Sequence, residues 1–212
     1  MKSPVPKAVA HRLSLYLRRL EYLAAEGVQT VASRALATPL GLKDAQVRKD
    51  LAYFGTFGRP GIGYPVADLM QRLRAILGTD HAWRVALVGC GNVGRALLAH
   101  ERFAQRGFHI VAAFDAAPDK IGRRIGHVVI EDAASLVQRI RSEQIPMAIL
   151  AIPARAAQAV ALQLADAGVR GILNFAPATL NLPDGVVVSN LDLTTWLEQI
   201  SFHLSNPGRA PA

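Results

Sequence analysis

Cysteine is almost absent: Cys90 is the one cysteine in 212 residues. A lone thiol closes no intramolecular disulfide and supplies no cysteine-rich zinc finger. It suits a reducing compartment, so the cytoplasm is the expected location. The six histidines fall in no HxxxH, HxH or HExxH spacing, which leaves no readable metal site. Long hydrophobic runs are missing too. The N-terminus MKSPVPKAVAHRL has no continuous apolar segment of the signal-peptide kind, and the most apolar internal stretch, IPMAILAIPA at 145–154, is short and carries two prolines. Neither a secretory signal nor a membrane span is therefore expected. No internal repeat or low-complexity tract occurs, and no spacing of Ser, His and Asp argues for nucleophilic catalysis.

What is present suffices for a substantial core, since 51% of residues are hydrophobic and 19% charged. Charge is unevenly placed. Residues 1–80 hold 12 Lys and Arg against 6 Asp and Glu, whereas residues 81–212 hold 12 against 10, so most of the net charge of +8 sits at the N-terminal end. Such asymmetry points to a unit that meets a polyanion, joined to a nearly neutral unit with another task.

In the basic part, Val9, Leu13, Leu17, Leu20 and Ala24 recur at steps of three and four, which predicts an amphipathic helix over 9–26 stopped by Gly27. A short second helix should start at Ser33, as N-cap, and break at Pro39 and Gly41. A third should run from Lys43 or Asp44 to Tyr53, with Val47, Leu51 and Phe54 on one side and Gln46, Lys49, Asp50 and Tyr53 on the other. Three short helices around a glycine turn suggest a helix-turn-helix. The segment GTFGRPGIGY at 55–64 then reads as a tight hairpin, a wing that brings Arg59 towards a minor groove. Leu69, Leu73 and Leu77 mark a further helix that ends at Gly78, and a linker follows at 79–82.

Beyond Trp83, short apolar runs at 84–88, 110–114, 128–130, 147–152, 171–174 and 186–188 alternate with helical stretches, the pattern of a doubly wound parallel sheet. The first run leads into GCGNVG, where Gly89, Gly91 and Gly94 keep the GxGxxG spacing between a strand and a helix. The glycines permit a tight turn, close approach of a pyrophosphate, and close packing of helix on strand. Asp115 ends the next strand, where an acid accepts hydrogen bonds from the adenosine ribose of NAD and repels the 2′-phosphate of NADP. Cys90, inside the turn, reads as a small spacer rather than a redox sensor, because no second cysteine can resolve a sulfenic acid. His100 is placed about two turns along the same helix. Near the end of the chain, Leu193, Leu197, Ile200 and Leu204 recur with Trp196 beside them, which predicts a helix from an Asp192 N-cap to Ser205 and a frayed tail from Asn206.

The segments LSLYLRRLEYL (13–23), AQVRKDLAYFGTFG (45–58), GIGYPV (61–66), VGCGNVGRAL (88–97), AFDAAPDKIG (113–122) and GILNFAPATLN (171–181) together resemble the Rex redox-sensing transcriptional repressors over nearly the whole chain. The resemblance implies an α/β protein with an N-terminal winged helix-turn-helix domain (1–80), a Rossmann-type doubly wound parallel sheet (81–190) and a C-terminal dimerisation helix with its tail (191–212). It implies NADH and NAD as cofactors, double-stranded palindromic operator DNA and a second copy of the chain as partners, and release of DNA by NADH. On this footing the candidate DNA-binding residues are Lys43, Gln46, Arg48, Lys49, Tyr53, Arg59 and Tyr64. The candidate cofactor-binding residues are Gly89, Cys90, Gly91, Asn92, Val93, Gly94, Asp115, Lys120, Pro153 and Asn174, with no catalytic or metal-binding residue. Three positions depart from the family pattern: Pro60 stands where the wing arginine is usual, His100 where tyrosine is frequent, and Pro39 where the second helix of the helix-turn-helix should continue. A small NAD-dependent oxidoreductase with a basic assembly domain, or a nucleotide-binding subunit of a larger complex, are the alternatives.

Overall fold

A computed structural model describes residues 5–58 and 61–206, and the chain divides into two compact units, one up to His81 and one from Ala82. The first unit opens with α1 (Lys7–Ala25), whose buried face consists of Val9, Leu13, Tyr16, Leu17, Leu20 and Leu23. Ala24, expected on that face, is exposed. The strand β1 (Thr30–Val31) precedes α2 (Ser33–Ala37), which passes into a 3₁₀ turn at Thr38–Leu40 and stops at left-handed Gly41. Pro39 thus lies in the first turn of the 3₁₀ segment, where its missing N–H has no partner to lose, and α2 is correspondingly short. Ser33 is the first helical residue rather than the N-cap, a position held by Ala32.

Next come α3 (Asp44–Ala52), β2 (Tyr64–Pro65) and α4 (Val66–Leu77), the last closed by left-handed Gly78. The glycine-rich segment does not fold back on itself among the described residues. Instead, β2 pairs antiparallel with β1, with Val31 opposite Tyr64, so the wing segment is anchored to the strand that enters the helix-turn-helix. Arg59 and Pro60 lie outside the described residues.

The second unit is built on strands β3 (Trp83–Val88), β4 (Phe108–Asp115), β5 (Arg124–Ile125), β6 (Val128–Asp132), β7 (Met147–Leu150), β8 (Gly171–Asn174) and β9 (Val187–Asn190). Among the described residues they form one sheet in the order β5-β6-β4-β3-β7-β8-β9. All neighbours are parallel except β5 and β6, a two-residue antiparallel pairing too short to leave a periodic signal. Omitting β5, the order from β6 to β9 is the doubly wound one, with the switch point between β3 and β7. The helices are α5 (Asn92–Leu98), α6 (Arg102–Gln105), α7 (Leu136–Glu143), α8 (Ala154–Ala167) and α9 (Leu193–Ser205).

The apolar rows Ala86, Val88, Ala148, Leu150 and Ile172 face α7 and α8, whose Leu136, Ile140, Ala161 and Leu164 complete that core. The other rows, Val85, Leu87, Ile110 and Ile149, pack with Leu97, Leu98 and Phe103 of α5 and α6. The chain between β8 and β9 contains no helix, so this second face stays open over β7, β8 and β9. An apolar groove of about 320 Å³ results, lined by Phe103, Met147, Ile149, Leu173 and Val187 among others. His100 lies past the end of α5, exposed and edge-on to Phe103, not on the helix where it was expected.

Candidate functional site

The end of β3 and the start of α5 form the glycine turn. Gly89 adopts φ +96, and a Cβ there would collide with the carbonyl of Ala151 at the end of β7; a Cβ on Gly94 would collide with the carbonyl of Gly89. Both positions exclude side chains because strand, turn and helix lie almost in contact. Gly91 differs: nothing lies within 4 Å of a Cβ built on it. Open space over the middle glycine, beside the two crowded ones, is the shape through which a pyrophosphate reaches backbone N–H groups. The residues present therefore fit an adenine dinucleotide.

Asp115 closes the far side of this turn. One carboxylate oxygen accepts from the Cys90 N–H at 2.8 Å and from Lys120 Nζ at 2.9 Å, and the other from the Ala117 N–H at 2.9 Å. Burial works against the charge, but these donors outweigh it and hold the pKa below the usual carboxylate range. The turn and the acid are thus one unit, with Asp115 bonded to the backbone of the glycine motif itself. Burial and the neighbouring Asp115 charge push the Cys90 thiol up to about 11, so it is no reactive thiolate. Asn92 and Val93 are exposed at the start of α5, and Pro153, the N-cap residue of α8, stands at the end of β7. Ala151, two residues before Pro153, touches the Gly89 position at the carboxyl ends of the strands.

Asn174, at the end of β8, is held in a hydrogen-bond network of its own. Its side chain is 0% exposed, and its amide nitrogen donates to the carbonyls of Ala176 and Ala178 and to Asn190 Oδ1, while its oxygen accepts from the Ala176 N–H. With its N–H groups and one lone pair of its oxygen engaged, Asn174 fastens the loop after β8 to β9.

In the first unit, α3 exposes Ala45, Arg48, Lys49, Ala52 and Tyr53, with Lys43 exposed at its N-cap position. Two alanines and cations on one face permit close approach of a polyanion. Arg48 is tied to Asp44 at 2.6 Å and to Ser33 Oγ at 3.1 Å, an exposed pairing that a phosphate can displace. Gln46 is half-buried at the margin of this face.

Two expectations are corrected. Tyr64 is 9% exposed and packs in the core, with its phenol pushed up mainly by burial, so it holds the wing segment from beneath. Asp50, expected beside Gln46 and Lys49 on the outer face, is 0% exposed. Its position is three residues after Val47 and four before Phe54, so helical geometry puts it on the buried stripe despite its charge. There it receives Arg12 through Nε at 2.6 Å and Nη2 at 2.8 Å, the Tyr16 hydroxyl at 2.8 Å and Gln46 Nε2 at 2.7 Å. Neither this cluster nor its role was readable from charge. Spacing alone carried the signal.

A basic helix-turn-helix unit and a dinucleotide-type Rossmann unit in one short chain define a ligand-responsive regulator rather than a dehydrogenase. Residues 80–178 match the family model described as "CoA binding domain", and residues 4–52 the one described as "Putative DNA-binding protein N-terminus". The chain is 46% identical over 200 residues to the redox-sensing transcriptional repressor Rex of Carboxydothermus hydrogenoformans, covering 94% of this chain and 96% of that protein. It is equally similar, 46% over 200 residues and 94% of each chain, to Rex of Chloroflexus aurantiacus. Among solved structures it is similar to RSP in complex with beta-NAD+ and operator DNA, at 36% identity and TM-score 0.92 over 97% of this chain and 95% of that one. Similar values, 34% and 0.88 with 97% of each chain covered, hold for RSP in complex with beta-NADH. The chain belongs to the Rex family of redox-sensing transcriptional repressors. These are DNA-binding regulators and not enzymes, which removes the oxidoreductase alternative. No helix among the described residues is long and apolar enough to cross a membrane.

Proposed function

We propose that this protein is a cytoplasmic repressor that binds palindromic operator DNA as a homodimer and leaves it when NADH replaces NAD+. Residues 1–80 bind DNA, residues 81–190 bind the cofactor, and residues 191–212 carry the helix exchanged between subunits and its tail. One observation carries the reading: a helix with a small, basic outer face shares a chain with a glycine turn bonded to a ribose-type acid. Lys43, Arg48, Lys49, Tyr53 and Arg59 meet the DNA, with Gln46 at the edge of the contact. Gly91 and the exposed Asn92 and Val93 face the pyrophosphate, Asp115 with Lys120 the ribose, and Pro153 the crevice beyond. That RSP has been solved with NAD+ and operator DNA together, and separately with NADH, supports the pairing of the two ligands.

Dimerisation is supported by α9. Its Leu193, Trp196, Leu197, Ile200, Phe202 and Leu204 are all exposed, Trp196 by 60% and Leu204 by 78%. A single chain has no reason to leave such a helix in water, and the open apolar face over β7, β8 and β9 is of matching chemistry. A gel shift with operator DNA tests the whole reading. Retardation retained with NAD+ and lost with NADH is expected, and equal retardation with both cofactors would reject it.

A further inference from the structure

Asp50 is a fully buried carboxylate, yet the cofactor site makes no use of it and it touches no outer surface. Arg12 alone, bonded at 2.6 and 2.8 Å, would neutralise it. The Tyr16 hydroxyl and Gln46 are additional, and Gln46 is the one member that also reaches the margin of the outer face of α3. An ionised carboxylate only accepts, so the end of the Gln46 side chain that faces it at 2.7 Å must be the NH₂ group. Arginine, tyrosine and glutamine donors hold Asp50 in that ionised form, with its pKa below the usual range although burial opposes it. Gln46 is thereby deprived of the freedom to turn its amide over. Oε1, which takes no hydrogen bond among the described residues, and at most one N–H are what Gln46 has left to offer a base.

A glutamine on a recognition helix otherwise has two readings. Presenting the NH₂ group satisfies the acceptors of guanine (O6, N7) or thymine (O4), and presenting the carbonyl edge satisfies the exocyclic amine of adenine or cytosine. We infer that Asp50 locks Gln46 into the second reading, so that each operator half-site carries an amine-bearing base, adenine in preference to cytosine, at the position Gln46 contacts. Adenine is preferred because its N7 can also take the one remaining N–H, whereas guanine and thymine would set an acceptor against Oε1. Asp50 is a positioning residue here: it acts on the base through Gln46. The inference rests on the proposal that α3 enters the major groove.

The test is selection of binding sites from a randomised duplex library by the full-length protein. It is followed by affinity measurements in which each base of the recovered site is exchanged in turn, for wild type, Gln46→Met, Asp50→Asn and Tyr16→Phe. One position per half-site should demand adenine or cytosine, with a roughly tenfold or greater loss on change to guanine. That preference should fall below about threefold in Gln46→Met, with preferences at other positions retained. Asp50→Asn should weaken it with Gln46 still present. Tyr16→Phe removes a donor to Asp50 without touching Gln46, so it should lower the unfolding midpoint and leave the preference intact, which separates positioning from mere destabilisation. Guanine or thymine at the position sensitive to Gln46, or no such position in Gln46→Met, overturns the inference while leaving DNA binding in place. Failure of the wild type to enrich any sequence overturns the DNA-binding reading itself. The base selected by the wild type and lost in Gln46→Met decides the matter even if Asp50→Asn does not fold.

Discussion

Asp115 does two jobs with one carboxylate. Bonds from Cys90 N–H, Ala117 N–H and Lys120 tie the end of β4 to the glycine turn, and on the proposed reading what remains of its acceptor capacity takes the ribose. Its lowered pKa makes the first job pH-dependent. The stabilisation is complete above the unfolded value of about 3.9 and is lost as pH falls through that value towards the lower folded one. The urea midpoint of Asp115→Asn should therefore lie below that of the wild type at pH 7, and the gap should narrow as pH falls below the unfolded value; a constant gap would place the effect outside the charge. The second job predicts that Asp115→Asn narrows the preference for NADH over NADPH, measured by fluorescence titration, since an acceptor and a repulsive charge leave together. Lys120, next to the same oxygen, supplies the cation that a 2′-phosphate would then meet. At Gly94 the constraint is steric. A methyl group would press on the Gly89 carbonyl and drive α5 away from the turn, so Gly94→Ala should weaken NADH binding at least tenfold and lower the melting temperature.

Elements make the helix-turn-helix legible and its interior obscure. The apolar stripe of α1, the proline stop of α2 and the glycine caps are local facts, and they predict helices within a residue or two of those found. Strands β3, β4 and β7 are equally local, each being an apolar run largely buried on both faces, whereas β6 and β8 are buried at alternate residues and β9 at the sheet edge is mostly exposed. Three things were not local. The partner of β2 is β1, more than thirty residues away, so the wing segment reads as a self-contained hairpin when only its glycines are considered. Asn174 looks available at a strand end until Asn190 and the loop carbonyls are brought to it by folding. Asp50 looks like a surface acid until Arg12 arrives from another helix. For α9 the sequence states its own start, because Asp192 accepts from the N–H groups of Thr194 and Thr195 as an N-cap should. Its apolar stripe does not say what it covers. Covering its own sheet would be the ordinary outcome, and the exposure of Trp196 and Leu197 shows that it does not. Truncation after Asn190 should accordingly give a monomer by sedimentation with weak operator binding. Asp192→Ala, which removes the cap alone, should weaken the helix and raise the dimer dissociation constant only severalfold.

At the scale of the whole molecule, a cofactor and a DNA site on different units of one chain can communicate only through a difference in free energy between two dimer arrangements. Palindromic DNA offers major grooves on one face about 34 Å apart, and two α3 helices dock together only when the subunits hold them at that spacing. If α9 is exchanged between the cofactor-binding units as proposed, it is a lever on this spacing, since a change at one nucleotide site is then felt by the partner. The coupling must be mutual. If NADH lowers operator affinity by a given factor, saturating operator must lower NADH affinity by the same factor, typically five- to 150-fold for coupling of about 1–3 kcal/mol. The check is a pair of titrations under one buffer: operator affinity with and without saturating NADH, and NADH affinity with and without saturating operator. Factors that agree are expected. A loss of operator affinity without an equal loss of NADH affinity would mean that the two ligands do not act through one equilibrium between dimer states. Salt supplies an internal control, because the proposed α3 contacts to phosphate should make operator affinity fall steeply between about 50 and 200 mM salt. The factor by which NADH weakens binding should vary far less than the affinity itself if NADH alters the spacing of the two docking units rather than competing for the basic surface.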